Sequence, residues 1–137
     1  MSIKLFDNTF EALAKSLDLR SERQVVISSN VANANTPGYQ AKELDFEGAL
    51  SRALTLDGKP MDRTNEMHMT SGGEVGDVRG EIYNQVNNVI REDGNTVDRD
   101  AELTAMAENH LLYNAAADLV KKKLAMLKYA ITDGGSH

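Results

Sequence analysis

The sequence predicts a mainly α-helical protein in which long N- and C-terminal helices pair as a coiled-coil-like bundle. The central segment between them is predicted to be loop-rich, with a short helix and a candidate β-hairpin. Apolar residues recur at alternating spacings of three and four near both ends of the chain, which is typical of amphipathic helices. Glycine and other turn-forming residues concentrate in the middle. Large core-filling side chains are scarce, with three Phe, four Tyr and no Trp among 137 residues, so the composition does not assure a compact, self-sufficient globule.

The N-terminal helix is predicted within residues 1–36. Stepping from Ile3 by three and four residues, seven of nine positions are apolar. Arg20 and Gln24 interrupt this stripe and could fix the register of the helix pair or face a different partner. The residues of the stripe that we expect to pack are Phe6, Phe10, Leu13, Leu17, Ile27 and Val31.

The C-terminal helix is predicted within residues 98–137. Asp98 or Asp100 is a suitable N-cap, and lysines toward the far end suit the negative end of the helix dipole. Gly134 and Gly135 are a suitable stop. The stripe of this helix is interrupted only by His110, and the residues expected to pack are Leu103, Met106, Tyr113, Val120, Leu124, Leu127 and Ile131.

The middle segment, residues 37–97, loses the helical periodicity. Turn-forming stretches such as Asp57-Gly58 and Ser71-Gly72-Gly73 indicate loops. One short amphipathic helix is predicted over 45–55, capped by Asp45. Its apolar side consists of Phe46, Ala49, Leu50, Ala53 and Leu54.

The first helix ends in the Asn-rich stretch SSNVANANTPGY, residues 28–39. Pro37 keeps the preceding residue out of the helical conformation, and Pro37-Gly38 suits the two central positions of a type II turn. The short amide side chains allow close approach of other chain segments and hydrogen bonds to peptide groups. The stretch is therefore either an ordinary helix C-terminus or a tight junction between subunits.

Charge and composition exclude several classes of function. The formal net charge of −6 argues against nucleic-acid binding, which needs a basic surface. The middle segment, with eleven acidic and six basic residues, carries most of this charge, while both ends are nearly neutral. The chain has no cysteine. Asp7, Glu11 and Asp18 interrupt the apolar region that a cleaved signal peptide would need, and no apolar stretch is long enough to insert in a membrane.

No motif for catalysis or cofactor binding is present. The three histidines are far apart and lack the i, i+4 spacing of helical metal ligands. The acidic run from Asp93 to Asp100 differs from a calcium loop, because Val97, Asp98 and Thr104 stand where a ligand, Gly and Glu are required. Capping and turn formation explain this run better. We therefore expect no enzymatic activity, no cofactor and no metal.

The stretch SSNVANANTPGYQAKELDF resembles the N-terminal signature of the bacterial flagellar rod and hook protein family. The C-terminal DGNTVDRDAELTAMAENHLLYNAAADLVKKKLAML and the short length make the chain more similar to the proximal-rod members than to the longer distal-rod and hook members. The resemblance covers nearly the whole chain and is weakest across residues 56–92.

The resemblance implies a structural subunit of the basal body, located in the periplasmic rod, that joins the MS ring to the distal rod and transmits torque. It implies export by the flagellar type III apparatus without a cleaved signal peptide. The implied partners are copies of itself, other proximal- and distal-rod proteins, the rod-base adaptor, and MS-ring and export-gate proteins. It also implies contacts between subunits at the motif residues Asn30, Asn33, Asn35, Thr36, Pro37, Gly38 and Tyr39.

Alternative interpretations share parts of this pattern. A freestanding coiled-coil adaptor would have the same two helices but form a stable small oligomer by itself. A sister proximal-rod protein would share the terminal motifs. An acidic metal-dependent hydrolase would need ordered carboxylates, for which the sequence offers no motif.

Overall fold

A computed structural model describes residues 8–55, 78–86 and 90–133. As predicted, the protein is mainly helical and its two long helices lie at the two ends of the chain. The elements in chain order are α1 (Asn8–Ala32), β1 (Lys42–Leu44), α2 (Phe46–Thr55), β2 (Ile82–Asn84) and α3 (Arg99–Asp133).

Helices α1 and α3 pack against each other in an antiparallel pair. Near the start of α3, Asn95 bonds to the carbonyl of Asn33 just beyond the end of α1. Further along α3, Asn109 donates from Nδ2 to the carbonyl of Arg20, earlier in α1, at 3.0 Å. The predicted pairing of the terminal helices is confirmed.

The face of α3 that lies closest to α1 is made of small and polar residues. Glu102, Asn109 and Ala116 are buried and lie seven residues apart, which keeps them on one face of the helix. On α1 the buried positions are Lys15, Leu19, Val26, Ile27 and Asn30. Small side chains on one helix allow the axes of a helix pair to approach closely. The buried face of α3 is narrower than the number of apolar residues in this helix suggests.

The main hydrophobic core lies between α1, β1 and α2. Asp45 begins α2, since its Oδ1 accepts a hydrogen bond from the main-chain nitrogen of Gly48 at 2.9 Å. The predicted short helix and its cap are confirmed, although Leu54 at its far end is exposed. The core residues are Leu19, Val26, Leu44, Phe46, Ala49, Ala53 and Val78, with Leu50 packed beside them.

Strands β1 and β2 form a two-stranded antiparallel sheet in which Leu44 lies opposite Ile82. The α2 helix follows β1 directly, so the connection between the two strands is long. Just before β2 the chain passes close to Leu44, because a Cβ added at Gly80 would lie only 2.6 Å from the Leu44 Cγ. Only glycine fits this approach without displacing that core side chain.

Asp98 is the N-cap of α3, because its Oδ1 accepts hydrogen bonds from the main-chain nitrogens of Asp100 and Ala101, each at 3.1 Å. None of the described helices is both long enough and apolar enough to cross a membrane. The following predictions lie outside the described residues: Ile3, Phe6, Asp57-Gly58, Ser71-Gly72-Gly73 and Gly134-Gly135.

Candidate subunit-contact site

The turn after α1 has the geometry that Pro37-Gly38 predicts. The main-chain nitrogen of Tyr39 donates to the carbonyl of Thr36 at 3.3 Å, and Gly38 has a φ of +72°. A positive φ at the third residue is the mark of a type II turn, and glycine adopts it without a steric penalty. The predicted type II turn is confirmed.

Asn30 joins the end of α1 to strand β1. Its Nδ2 donates to the carbonyl of Lys42 at 2.7 Å, and its Oδ1 accepts from the main-chain nitrogen of Lys42 at 3.0 Å. The Tyr39 hydroxyl donates to the same Oδ1 at 3.3 Å. Asn30 is completely buried. Its side-chain amide makes the two hydrogen bonds that a neighbouring strand would make with the outer edge of β1.

Asn33 and Thr36 close the last turn of α1. The Nδ2 of Asn33 donates to the carbonyl of Ser29 at 2.8 Å, and the Thr36 hydroxyl donates to Asn33 Oδ1 at 3.1 Å. Carbonyls at a helix C-terminus lack partners within the helix. These side chains supply local partners and allow the chain to turn.

Asn95, in the segment before α3, satisfies two further carbonyls of this turn. Its Nδ2 donates to the carbonyls of Asn33 and Thr36 at 2.9 and 2.8 Å, and its Oδ1 accepts from the main-chain nitrogen of Val97 at 2.7 Å. Asn95 is completely buried. A single side chain therefore holds the end of α1 beside the segment that leads into α3.

Main-chain bonds strengthen the same connection. The nitrogen of Gly38 donates to the carbonyl of Asp93 at 2.9 Å, and the nitrogen of Thr96 donates to the carbonyl of Tyr39 at 3.1 Å. Gly94 also has a positive φ, +77°, and a Cβ added there would lie 3.5 Å from the Gly38 Cα. Ala34, Ala41 and Val97 form a small buried cluster beneath these bonds. We call residues 29–42 together with 93–97 the asparagine junction.

The sequence analysis found half of this junction. It identified the motif at the end of α1, and it assigned the segment from Asp93 to turn and capping functions, which Gly94 and Asp98 perform. It missed Asn95 as the partner of the motif. The Asn-Thr pair at 95–96, placed directly after a Gly turn, is the one local signal, but the contact with Asn33 is distant in sequence.

The predicted contact residues of the motif divide into two groups. Asn30, Asn33, Thr36 and Tyr39 use their side chains in hydrogen bonds within the chain. Asn35 and Pro37 are exposed, and the Asn35 side chain makes no hydrogen bond within the part of the chain that the structure describes. Gly38 is exposed as well, and its nitrogen is held by Asp93.

The predicted helix-packing residues also differ in exposure. On α1, Ile27 is buried, and Phe10, Leu13, Leu17 and Val31 are half-buried. On α3, Met106, Val120 and Leu127 are half-buried at the edge of the contact with α1. The remaining four on α3 are exposed in the single chain: Leu103, Tyr113, Leu124 and Ile131.

A polar layer crosses the helix pair at the two positions that interrupt the α1 stripe. Asn109 Nδ2 donates to Gln24 Oε1 at 2.8 Å, and the Arg20 guanidinium lies over the Phe46 ring at 4.6 Å from its centroid. Burial, with Arg23 nearby, lowers the pKa of Arg20, and Glu108 partly opposes this shift. Hydrogen-bonded polar residues between two helices specify register, and this layer fixes how α1 and α3 align.

Two buried atoms of the polar layer, Arg20 Nε and Asn109 Oδ1, have no hydrogen-bond partner among the described residues. Such atoms cost stability, which agrees with a layer that specifies register and adds little strength. Within residues 8–55, 78–86 and 90–133, no three acidic or histidine side chains are grouped so that they could hold a metal ion.

The outer surface of α3 carries an extended set of exposed apolar side chains. Besides the four residues of the predicted stripe, it exposes Leu111, Leu112, Leu119, Met126 and Tyr129. Scattered apolar side chains are normal on a protein surface, but nine exposed large apolar side chains on one helix favour an interaction surface. The arrangement is that of a helix pair with one partly unpartnered helix.

Comparisons with known proteins agree with this architecture. The family model for flagella basal body rod proteins matches residues 12–40, which include most of α1 and the motif of the asparagine junction. The chain is 37% identical over 119 residues to the flagellar basal body rod protein FlgB of Cereibacter sphaeroides, covering 86% of this chain and 89% of the relative.

Similar proteins occur in enteric bacteria. The chain is 29% identical to FlgB of Proteus mirabilis, covering 93% of this chain and 96% of the relative. It is 30% identical to FlgB of Salmonella typhimurium, covering 88% and 90% respectively. Because the match at 30% identity or above extends over most of both chains, this chain belongs to the flagellar basal body rod protein family.

Proposed function

We propose that this protein is a structural subunit of the bacterial flagellar basal body, in the proximal rod that joins the MS ring to the distal rod and transmits torque. It is not an enzyme and needs no cofactor. The observation that carries the proposal is the exposed apolar surface of α3, which the fold of one chain leaves uncovered. Membership of the rod protein family supports it.

The three parts of the chain have different roles in this proposal. Residues 1–36 and 98–137 supply the two helices of the rod core, and residues 37–97 form the acidic part that connects them in sequence. Most residues of the motif make hydrogen bonds within the subunit. There the asparagine junction holds the end of α1 beside the segment that leads into α3. The contacts with neighbouring subunits fall to the exposed members, Asn35 and Pro37, and to the outer face of α3.

The neighbours in this proposal are copies of the same chain, other proximal- and distal-rod proteins, the rod-base adaptor, and MS-ring and export-gate proteins. The location is the periplasmic rod, reached through the flagellar type III apparatus without removal of a signal peptide.

Complementation of a strain that lacks its own proximal-rod gene of this type tests the function. The wild-type chain should restore motility and appear in purified basal bodies. Leu124→Asp, which places a charge on the exposed apolar face of α3, should leave export intact and prevent incorporation. Asn114→Asp, at an exposed polar position of the same helix, is the matched control and should be incorporated normally.

Two results would contradict the proposal. One is the Leu124→Asp chain found in basal bodies at the wild-type level, which would remove the outer face of α3 from the contact surface. The other is a wild-type chain that restores no motility and sediments as a stable small oligomer in dilute solution. That behaviour would favour the freestanding coiled-coil adaptor.

A further inference from the structure

The far end of α3 combines positive charge with exposed apolar side chains. Residues 119–132 contain four lysines and no carboxylate. We call this stretch the basic end. Its exposed large apolar side chains are Leu119, Leu124, Met126, Tyr129 and Ile131.

Neither the helix dipole nor local ion pairing accounts for all these lysines. The dipole acts on charges within the last turn of a helix, whereas Lys121 and Lys122 lie about three turns before the last residue, Asp133. Lys121 contacts Asp118 at 3.3 Å, but this pair is well exposed and such pairs add little stability. Lys122 and Lys128 are exposed, and their charges therefore remain available to another molecule.

The opposite end of the molecule has the complementary composition. Residues 42–47, 79–86 and 90–102 contain nine carboxylates and four basic side chains. These segments lie together at the start of α3, where Gln85 Nε2 donates to Glu102 Oε1 at 3.2 Å. We call them the acidic end, and its exposed large apolar side chains are Ile82, Tyr83, Val86 and Ile90.

The two ends cannot meet within one chain. Along α3 the first residue of the helix and Met126 are separated by about 40 Å, at 1.5 Å per helical residue. Strand β2 is exposed along its whole length, and Asn30 already occupies the outer edge of β1, so the uncovered surface of the acidic end is on the β2 side.

We propose that the basic end of one copy docks on the acidic end of a second copy. The proposal rests on the proposed function as an assembly subunit, and it names which surfaces of two copies meet. Opposite charges would steer the encounter, and the apolar side chains of both surfaces would be buried in the contact. Because two different surfaces are joined, the contact is heterologous. In a pair of copies, one basic end and one acidic end stay unoccupied, and each can bind a further copy.

Disulfide cross-linking between copies tests the contact, since the natural chain has no cysteine. Asn84→Cys places a thiol on the exposed strand β2, and Ala130→Cys places one on the exposed basic end. A mixture of these two full-length variants should form the mixed dimer about tenfold faster than either variant forms its own dimer at low salt. A chain carrying both substitutions should form a ladder of linked oligomers.

Charge exchange provides a second, independent measurement. Lys122→Glu with Lys128→Glu lowers the net charge of the basic end from +4 to 0, and Glu81→Lys with Glu92→Lys changes that of the acidic end from −5 to −1; all four positions are exposed. Each double variant alone should lose the concentration-dependent oligomers that the wild type shows in sedimentation at low salt. Mixing the two should restore association as a mixed dimer, because the unchanged acidic end of the first variant can meet the unchanged basic end of the second. Circular dichroism checks that both variants keep their helices.

Faster homodimer formation by either cysteine variant would overturn the proposal, since it would mean that like ends meet. Loss of oligomers that mixing does not restore would also overturn it. If no pair of copies cross-links, the ends are covered by another protein, and the second copy is the wrong occupant. The complementation experiment could still show incorporation into basal bodies in that case. The docking of two copies and the proposed function can therefore fail independently.

Discussion

The side-chain amide nitrogen of Asn95 donates to the main-chain carbonyl of Asn33 at 2.9 Å, across 62 residues of sequence. The same nitrogen reaches the carbonyl of Thr36 at 2.8 Å. A helix C-terminus normally finds partners for its carbonyls in water or in the next few residues. Here they are bound by a residue just before the second long helix, so the end of α1 and the start of α3 form together.

Replacing Asn95 by alanine should destabilise the protein strongly. Asn95→Ala removes the donor to two part-buried carbonyls and the buried acceptor of the Val97 nitrogen. We expect a loss of about 3 kcal/mol in the free energy of unfolding, since each buried unsatisfied group costs about 1 to 3 kcal/mol. Urea unfolding followed by circular dichroism measures the loss.

The matched control is Asn35→Ala in the same motif. The Asn35 side chain is exposed and makes no hydrogen bond in the described residues, so its loss should change stability by less than about 0.5 kcal/mol. If both substitutions cost the same, Asn95 does not hold the junction together. If Asn35→Ala leaves stability unchanged but impairs motility, the contact proposed for the exposed part of the motif gains direct support.

Asn30→Asp should make stability depend on pH. Asn30 is completely buried, and its Nδ2 donates to the Lys42 carbonyl. An ionised carboxyl at this position has no donor for that carbonyl and is desolvated, so its pKa in the folded state should lie above the unfolded value of about 3.9. The folded state would then bind the proton more tightly than the unfolded state does. The free energy of unfolding should therefore fall as the pH rises above about 4. Asn30→Ala lacks the ionisable group and should show the wild-type pH profile at lower stability.

Thermal unfolding between pH 3 and pH 8 measures this difference. A parallel profile for the Asn30→Asp and Asn30→Ala variants would mean that position 30 is hydrated, contrary to its burial.

Local features of this fold were predictable from the sequence, and distant ones were not. Pro37 with Gly38, the cap at Asp45 and the cap at Asp98 depend on residues within three positions, so their side-chain chemistry identifies them. The bond from Asn95 to Asn33 depends on how the two helices align, which no local pattern contains.

The face of α3 that packs on α1 was also hard to predict, for a different reason. Counting apolar residues favours a stripe through Leu124, but the face that packs on α1 runs through Asn109 and Ala116. Small residues allow the helix axes to approach, while the large apolar residues remain on the flanks and outer side. The apolar pattern of α3 therefore includes residues that do not face α1.

Substitution of Gly38 tests the turn of the junction. Gly38 has a φ of +72° and no atom within 4 Å of an added Cβ, so the expected cost is conformational and not steric crowding. Gly38→Val should lose about 1 to 2 kcal/mol, since β-branched residues disfavour positive φ, whereas Gly38→Asn should lose less. Unfolding of both variants measures the difference. Equal losses would mean that the turn geometry does not limit stability.

The polar layer between the long helices is suited to a double-mutant cycle. Asn109→Leu leaves the Gln24 Oε1 without its donor and should destabilise the pair by about 1 to 3 kcal/mol. Adding Gln24→Leu removes the orphaned group and should recover much of the loss. Strictly additive losses in urea unfolding would show that the two side chains do not interact.

Hydrogen exchange along α3 distinguishes burial inside the subunit from burial between subunits. In α3, Asn109 and Ala116 lie against α1, whereas residues 119–131 expose most of their large apolar side chains. Helical stability in proteins comes mainly from packing an apolar face, so a helix with an uncovered second half should open there first. In dilute monomer, amides of residues 119–131 should exchange faster than those of residues 105–117.

In assembled rods both segments should be protected, because neighbouring subunits then cover the exposed face and binding stabilises the ordered form. The comparison of monomer with assembly carries its own control, since residues 105–117 include Asn109 and Ala116, which are already buried in the single chain. Equal, strong protection of the two segments in the monomer, with a melt independent of concentration, would mean that α3 is stable without neighbours. The exposed apolar residues would then contribute to contact with partners but not to the folding of the subunit, and export through a narrow channel would require active unfolding of the whole helix.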